Sequence, residues 1–233
     1  HVAMTFLKHH VGTNCEERLL NLYRHHHSLK YDYNTKMVGK RAFKNMCLIY
    51  LNYVEKDEYH ELAFDQCKQA NNMTDTMGAL VALNNHNCSQ RKEALALFYD
   101  KWQHEPLVVN KWLMLQATSS LSTTLDTVKE LVKHPGFNIN NPNNVYSLLV
   151  AFGTNVVRFH ESSGAGYQFM ADQVLEIDSA NPQVAARVIQ PLIRWQQVDV
   201  DRATKMREQL ERIAETQPLS PDVFELANKG LVE

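Results

Sequence analysis

A long stretch with few helix breakers is the feature that most constrains this fold. Between Thr13 and His134 the only Gly and Pro residues are Gly39, Gly78 and Pro106. Both residue types destabilise a helix interior, so a stretch this poor in them favours helices. The sequence contains no convincing alternating strand pattern, and an all-α fold is therefore predicted.

Apolar residues recur at helical spacing along the whole chain. Leu121, Leu125, Val128 and Val132 follow one another at intervals of four, three and four residues, which places them on one helix face. The same spacing, read along the chain, predicts helices at 14–28, 35–54, 56–70, 74–85, 89–103, 106–118, 121–133, 142–152, 155–161, 165–178, 182–197, 199–215 and 221–230.

Several helix starts can be read from local residue patterns. The pairs that place a cap residue before a first-turn proline are Asn141-Pro142, Asn181-Pro182 and Ser220-Pro221. The stretch from Thr13 to Glu16 resembles a capping box and predicts a start near 14. Pro191 lies inside the 182–197 helix, and we expect it to kink or interrupt that helix.

The order of the predicted helices narrows the architecture to two arrangements. Many short antiparallel helices in succession form either a compact bundle or a solenoid of stacked pairs. Helix pairs recur about every 30–40 residues, which is typical of helical repeat arrays. No repeat consensus is visible, so the solenoid is predicted from helix length and order only.

Composition excludes several classes of protein. The net charge is −2 and the isoelectric point is about 6.6, so no global basic field favours nucleic acid or an anionic membrane. No apolar run approaches the length of a membrane span.

Four cysteines lie far apart without a CxxC pair, which favours reduced thiols in the cytoplasm. Because the sequence begins without Met, we expect an excised or processed piece of a longer protein.

Two near matches to the HExxH zinc signature lack its second histidine. His60-Glu61-Leu62-Ala63 is followed by Phe64, and the stretch beginning at His104 has Val108 at the same position. Two histidines one turn apart reach one metal, and a catalytic zinc needs three protein ligands. We therefore predict no catalytic residue and no metal site in this chain, and a surface or half-buried His60.

A polar stripe is predicted on the helix that starts at Pro182. Gln183, Arg187, Gln190 and Arg194 follow at intervals of four, three and four residues, opposite an apolar face. The stripe is either a solvated surface or the lining of a cavity. In the second case Arg187 could bind a carboxylate through paired hydrogen bonds.

Several blocks of the sequence resemble the C-terminal helical domain of bacterial aminopeptidase N, a family of zinc aminopeptidases. The resemblance runs from about Cys15 to the end of the chain. In chain order, the blocks are 69–75, 98–102, 109–119, 137–143, 181–187 and 191–194.

The resemblance implies an all-α, right-handed superhelix of stacked antiparallel helix pairs, similar to ARM and HEAT solenoids, with residues 1–233 forming a single domain. It implies that the first helices of the domain are missing. It also implies a parent enzyme that removes N-terminal amino acids from peptides in the cytoplasm. The zinc would be bound by an absent catalytic domain, and this chain alone would be inactive.

The implied role is to cap the active-site cavity and to control the access of short peptides. The implied partners are the other domains of the same polypeptide and short peptides, with no nucleic acid and no membrane. A free-standing helical-repeat module that binds a protein or peptide is the alternative.

Three residues are implied as peptide contacts by the resemblance. Arg187 matches a family arginine that points toward the far end of the substrate, and Gln183 matches a glutamine near the residue-binding pocket. Tyr146 stands where the family pattern has a second arginine. The resemblance therefore implies an aromatic or neutral contact at Tyr146 instead of a two-arginine clamp.

Overall fold

The computed structural model describes residues 1–28 and 30–232, and within these ranges all regular structure is helical. The all-α prediction is confirmed. In chain order, the α-helices are α1 (Val2–Asn14), α2 (Glu16–His26), α3 (Thr35–Asn52), α4 (Asp57–Gln69), α5 (Met73–Leu83), α6 (Ser89–Trp102), α7 (Pro106–Ala117), α8 (Thr124–Leu131), α9 (Pro142–Val145), α10 (Ala151–Gly153), α11 (Val156–Phe159), α12 (Ala165–Asp178), α13 (Pro182–Val188), α14 (Gln190–Ile193), α15 (Val200–Glu215) and α16 (Pro221–Val232). A π-helical turn spans Tyr146–Val150, and a 3-10 turn spans Trp195–Gln197.

The apolar spacing did not predict α1, and the capping box predicted at Thr13–Glu16 is wrong. Thr13 lies inside α1, and α2 begins at Glu16 after a single intervening residue, Cys15, whose side chain caps nothing. The apolar side chains of α1, including Phe6, are largely exposed, so no buried stripe marks this helix in the sequence.

The three predicted caps that stand directly before a proline are confirmed by their hydrogen bonds. The Asn181 side chain accepts from the Val184 amide at 3.2 Å, and Ser220 Oγ accepts from the Val223 amide at 3.3 Å. Asn141 caps α9 in the same way, through the Asn143 amide. Each side-chain oxygen satisfies a backbone donor that the first turn leaves open.

The predicted interruption at Pro191 is also confirmed. The helix expected over 182–197 is divided into α13, α14 and the 3-10 turn, and the break lies at Ile189. A proline cannot donate to the carbonyl four residues earlier, so the helical hydrogen-bond ladder stops before it.

The described helices form two compact units, His1–Trp102 and Gln103–Glu233. The prediction of one domain over 1–233 stays a prediction. In the first unit, α3 packs on α2 and α5, and α4 packs on α5 and α6. Fully buried leucines, including Leu48, Leu51 and Leu83, form its apolar core.

The first unit also buries a polar network. Lys44 Nζ lies 2.9 Å from Asp75 Oδ2, and their side chains are only 2% and 8% exposed. Asn45 donates to Asp75 Oδ1 at 3.2 Å, and Gln66 donates to Asn45 Oδ1 at 2.8 Å. Tyr23 completes the network by donating to Gln66 Oε1 at 3.0 Å. The network joins α2, α3, α4 and α5, so it stabilises the packing of four helices.

In the second unit, α12 packs on α13 and α15, α15 packs on α16, and α7 packs on the π-helical turn. Aromatic rings fill the centre. The Phe159 ring contacts Phe152 at 6.0 Å and Tyr167 at 5.1 Å between centroids, both edge to face. All three side chains are buried, so they hold α10, α11 and α12 together.

Candidate functional site

The polar stripe of α13 and α14 lines an open pocket in the second unit. The volume of this pocket is about 810 Å³. Its lining consists of the four stripe residues, Ala186 of α13, and side chains from the π-helical turn and α16, namely Tyr146, Val150, Gln183, Ala186, Arg187, Gln190, Arg194 and Leu226. All four stripe residues are exposed around this open pocket, so the structure fits a solvated surface as well as the lining of a cavity.

The opposite face of α13 determines which way the stripe points. Val184, Ala185 and Val188 are buried against the core of the unit, with exposures of 3%, 0% and 0%. The helical period then turns Gln183 and Arg187 away from the core and toward solvent. Burial of the apolar face thus orients the polar residues toward the pocket.

The π-helical turn forms another wall of the pocket. Residues Leu148 and Leu149 in this turn are fully buried, whereas Tyr146 is 38% exposed and lines the pocket with Val150. A π turn holds one more residue than an α-helical turn, and such turns occur frequently at functional sites. The widened turn here presents Tyr146 to the pocket while it keeps both leucines in the core.

The pocket carries unneutralised positive charge. Arg187 and Arg194 are exposed, and neither forms an ion pair with any residue that the structure describes. Among the residues that the structure describes, no Asp or Glu lines the pocket. The Gln190 side chain forms a hydrogen bond within the helix, since its Nε2 donates to the Ala186 carbonyl at 3.2 Å. Such a surface is suited to binding an anionic group through guanidinium hydrogen bonds.

All three residues predicted as peptide contacts lie in this pocket. Tyr146 comes from the π-helical turn, and Gln183 and Arg187 come from α13, at positions 37 and 41 residues further along the chain. The structure thus brings together residues that were named separately. Their contact with a peptide stays a prediction. Arg194 joins them, although it was named only as part of the stripe.

The His60 stretch has a different structure from the expected surface or half-buried position. His60 is 8% exposed, its ring lies 5.1 Å from that of His86, and no described residue forms a hydrogen bond with either of its ring nitrogens. Desolvation by burial lowers the pKa of His60. The prediction about its exposure is therefore wrong, because α4 turns His60 inward with Tyr59 and Ala63. His104, in the second near match, is exposed.

Metal-binding side chains do not converge in the part of the chain that the structure describes. Across residues 1–28 and 30–232, no three His, Cys, Asp or Glu residues form a group that could hold a metal ion. Within the same ranges, none of the helices has the length and apolarity that a membrane crossing requires.

A second cavity, in the first unit, was not anticipated from the sequence. It has a volume of about 340 Å³ and is lined partly by Tyr23, Lys44, Gln66 and Asp75 of the buried network. A mid-helix lysine gives no sequence signal of burial, since lysines on amphipathic helices usually face solvent. Only the packing of α3 against α5 turns Lys44 inward.

Comparison with known proteins identifies relatives of the chain. A family described as "Domain of unknown function (DUF3458_C) ARM repeats" matches residues 1–232. The chain is 38% identical over 230 residues to aminopeptidase N of Haemophilus influenzae and 37% identical over 222 residues to aminopeptidase N of Escherichia coli. These alignments cover 98% and 95% of this chain but 26% of each relative.

A solved structure shows the same fold. The crystal structure of Legionella pneumophila aminopeptidase A in complex with aspartic acid superposes with a TM-score of 0.88 at 32% sequence identity. The match covers 97% of this chain and 28% of that protein. The chain therefore spans little more than a quarter of the proteins it matches.

Proposed function

The chain belongs to the DUF3458_C family of ARM-repeat domains and is homologous to the C-terminal part of aminopeptidases, as the resemblance predicted; from this premise we propose its role. It works as the C-terminal domain of a zinc-dependent aminopeptidase that removes N-terminal amino acids from peptides in the cytoplasm. It caps the active-site cavity and controls the access of short peptides.

The observation that carries this proposal is the cationic pocket of the second unit. It gathers Arg187, Gln183 and Tyr146 in a space of about 810 Å³, and no acidic side chain from residues 1–28 and 30–232 lines it. A bound peptide presents amide groups and, at its far end, a negative charge. Gln183 can hydrogen-bond the amides, Tyr146 can contact the peptide through its ring or hydroxyl, and Arg187 can bind the charge.

The zinc ion belongs to another part of the proposed enzyme. Within the described ranges, this chain has no cluster of three side chains able to hold a metal ion. When bound in the catalytic domain, zinc supplies an activated water for hydrolysis. The residues of this chain bind and position the peptide and leave the bond cleavage to that domain.

The preference for a particular N-terminal residue is assigned to the catalytic part. The relatives are named aminopeptidase N, whereas the structural neighbour is an aminopeptidase A solved with aspartic acid. Similar helical domains thus occur with differently named enzymes. We propose that this domain selects substrates by their length and binds their far end.

The test is an activity measurement in three arms. The rates on an alanyl chromogenic substrate and on a tripeptide are measured for this chain alone, for the remainder of the full-length protein, and for the two mixed. We expect no hydrolysis by the chain alone and a changed tripeptide rate after mixing. A fourth sample, in which the chain and the remainder are joined by a linker, shows whether the effect requires a covalent connection.

Two outcomes would contradict the proposal. Metal-dependent hydrolysis by the chain alone would assign it a catalytic centre. An unchanged tripeptide rate in both the mixed and the tethered forms would favour the free-standing interaction module instead.

A further inference from the structure

The cavity of the first unit carries an inference that is separate from the proposed peptide contacts. We propose that it is a binding site for a small molecule with a single carboxylate group, either an organic acid or a free amino acid. The carboxylate lies between Lys44 on the floor of the cavity and Arg24 at its rim. The site belongs to the first unit, so it does not depend on the role proposed for the second.

The size and the walls of this cavity suit a small molecule. Its volume of about 340 Å³ lies at the lower end of the range of about 300–1,000 Å³ that is usual for ligand pockets. One wall is a single face of α4, whose residues follow at intervals of three, one and three, namely Leu62, Asp65, Gln66 and Gln69. Another wall comes from α2 and includes Arg24, and the buried side chain of Lys44 comes from α3.

Lys44 has hydrogen-bond donors that its protein partner does not use. An ammonium group carries three N–H donors, and among the described residues only Asp75 Oδ2 accepts from Lys44, at 2.9 Å. The Lys44 side chain is 2% exposed, yet it lines the cavity. A buried donor without an acceptor is costly, so the remaining N–H groups favour a ligand oxygen in the cavity.

The other polar groups of the floor are already satisfied. Asp75 accepts from Asn45 and Asn72 as well as from Lys44. Gln66 Nε2 donates to Asn45 Oδ1 and to the Asp75 carbonyl, both at 2.8 Å. The unused hydrogen-bonding capacity of the floor is therefore that of a cationic donor, which matches an anionic oxygen.

The charges of the lining limit the ligand to a monoanion. Arg24 is exposed at the rim, and no described Asp or Glu forms an ion pair with it. The acidic side chains of the described lining already have partners, since Asp75 pairs with Lys44 and Asp65 pairs with Lys68 at 2.8 Å. One permanent positive charge is left in excess. A carboxylate neutralises it, whereas a dianion such as phosphate would exceed it.

The rest of the lining suits a short organic body. Leu62 and Ala70 provide an aliphatic surface, and the imidazole of His27 can donate a hydrogen bond in either charge state. An organic acid would use these groups alone. A free amino acid would also place its ammonium group against Asp65, whose Oδ2 accepts from no described residue.

The test is an NMR titration of the 233-residue chain with propionate and with its neutral isostere, propionamide. We expect propionate to shift the amide resonances of α2 and α4 and to bind about fivefold more tightly than propionamide, because charge-assisted hydrogen bonds are the stronger ones. Inorganic phosphate should bind more weakly than propionate. The resonances identify the site, since a probe bound at the pocket of the second unit would shift amides of α13 instead.

Arg24→Gln should reduce the preference for propionate over propionamide severalfold. Arg18→Gln is the matched control, because Arg18 is an exposed arginine on another face of α2 without an ion pair in the described structure. It should keep the full preference. Both substitutions are at exposed positions, so neither should lower the unfolding temperature, which is measured alongside.

L-alanine distinguishes the two sources of the carboxylate. Tighter binding of L-alanine than of propionate, with the gain lost in Asp65→Asn, would identify free amino acids as the ligand class. Binding of L-alanine no tighter than that of propionate would identify simple organic acids. Either result supports the carboxylate site.

Four outcomes would overturn the proposal. They are an absence of shifts in α2 and α4, equal binding of propionate and propionamide, tighter binding of phosphate than of propionate, and an unchanged preference in Arg24→Gln.

Discussion

At the scale of single residues, the ion pair between Lys44 and Asp75 is the most deeply buried charge interaction in the first unit. The two side chains are 2% and 8% exposed, and Asp75 also accepts from Asn45 and Asn72. A buried charge that loses its partner has neither water nor a counter-ion. Removal of either member therefore destabilises the first unit.

Replacing Lys44 with Met should destabilise the first unit strongly. The change leaves the Asp75 carboxylate buried without its cation, at a cost of about 3–5 kcal/mol in the free energy of unfolding. Urea denaturation followed by circular dichroism measures the loss. Glu211→Gln, which removes an exposed i,i+4 pair with Arg207, should cost only about 0.5 kcal/mol. Equal effects of the two variants would contradict this interpretation.

The His60 and His86 rings form a second residue-scale feature, and it predicts a dependence on pH. Burial, with a smaller contribution from His60, lowers the pKa of His86 from an ordinary value of 6.5 to about 4. In the unfolded chain His86 is protonated as pH falls through about 6.5, whereas in the folded chain it is protonated only near pH 4. Stability should therefore fall as pH decreases from about 6.5 to about 4, by about 2–3 kcal/mol for this residue.

The variant His86→Phe tests this pH dependence. Phenylalanine keeps an aromatic ring against Tyr53 and His60 and cannot be protonated. We expect the difference in unfolding free energy between pH 7.5 and pH 5 to shrink in this variant. His104→Gln, at an exposed position, should leave the difference as in the original protein. An unchanged pH dependence in His86→Phe would show that other groups cause it.

At the scale of helices, one close approach determines how α1 lies on α3. Gly12 is the buried residue of α1, and a Cβ atom there would lie 2.5 Å from the Tyr50 carbonyl oxygen and 3.2 Å from Val54 Cγ2. A backbone oxygen cannot move aside as the end of a flexible side chain can. The absence of a side chain at residue 12 is therefore a condition for this contact between the helices.

Replacing Gly12 with Ala should push α1 away from α3. We expect a destabilisation of about 1–3 kcal/mol, typical of overpacking, and faster hydrogen exchange of the α1 amides. Gly39→Ala is the matched control, because a Cβ added at this position of α3 would point into open space. It should stabilise the helix by about 0.5–1 kcal/mol. Similar exchange rates in both variants would contradict a role for the close approach.

At the scale of the whole molecule, the chain divides into two compact units, and each contains buried apolar side chains. The buried ion-pair network lies in the first unit and the cationic pocket in the second. Neither feature brings together three side chains able to hold a metal ion, within the ranges that the structure covers.

The purified chain should bind no stoichiometric zinc. We expect far less than one zinc per chain in elemental analysis after incubation with zinc and gel filtration, because three convergent ligands are missing in the described structure. A competing chelator, and a variant with Gln at the adjacent histidines His25 and His26, control for weak surface binding of zinc. One zinc per chain that survives the chelator would contradict the assignment of zinc to another domain.

Local sequence patterns were sufficient to predict most helices and one side of the candidate pocket. The spacing of Gln183, Arg187, Gln190 and Arg194 predicted a single polar face, and the structure places all four in the pocket. Tyr146 could not be placed there by spacing, because its helix reaches the pocket through a tertiary contact. The π-helical turn that presents Tyr146 has no recognisable signal in the sequence either.

The sequence by itself determined most of the helices, the three caps that precede a proline and the break at Pro191, because these features depend on residues within a turn or two of one another. Only the tertiary structure decided which polar groups are buried and which face a cavity. Lys44 and Asp75 are 31 residues apart, and His60 and His86 are 26 apart, so helix packing alone brings them together. Burial depends on such distant contacts, and no local pattern contains them.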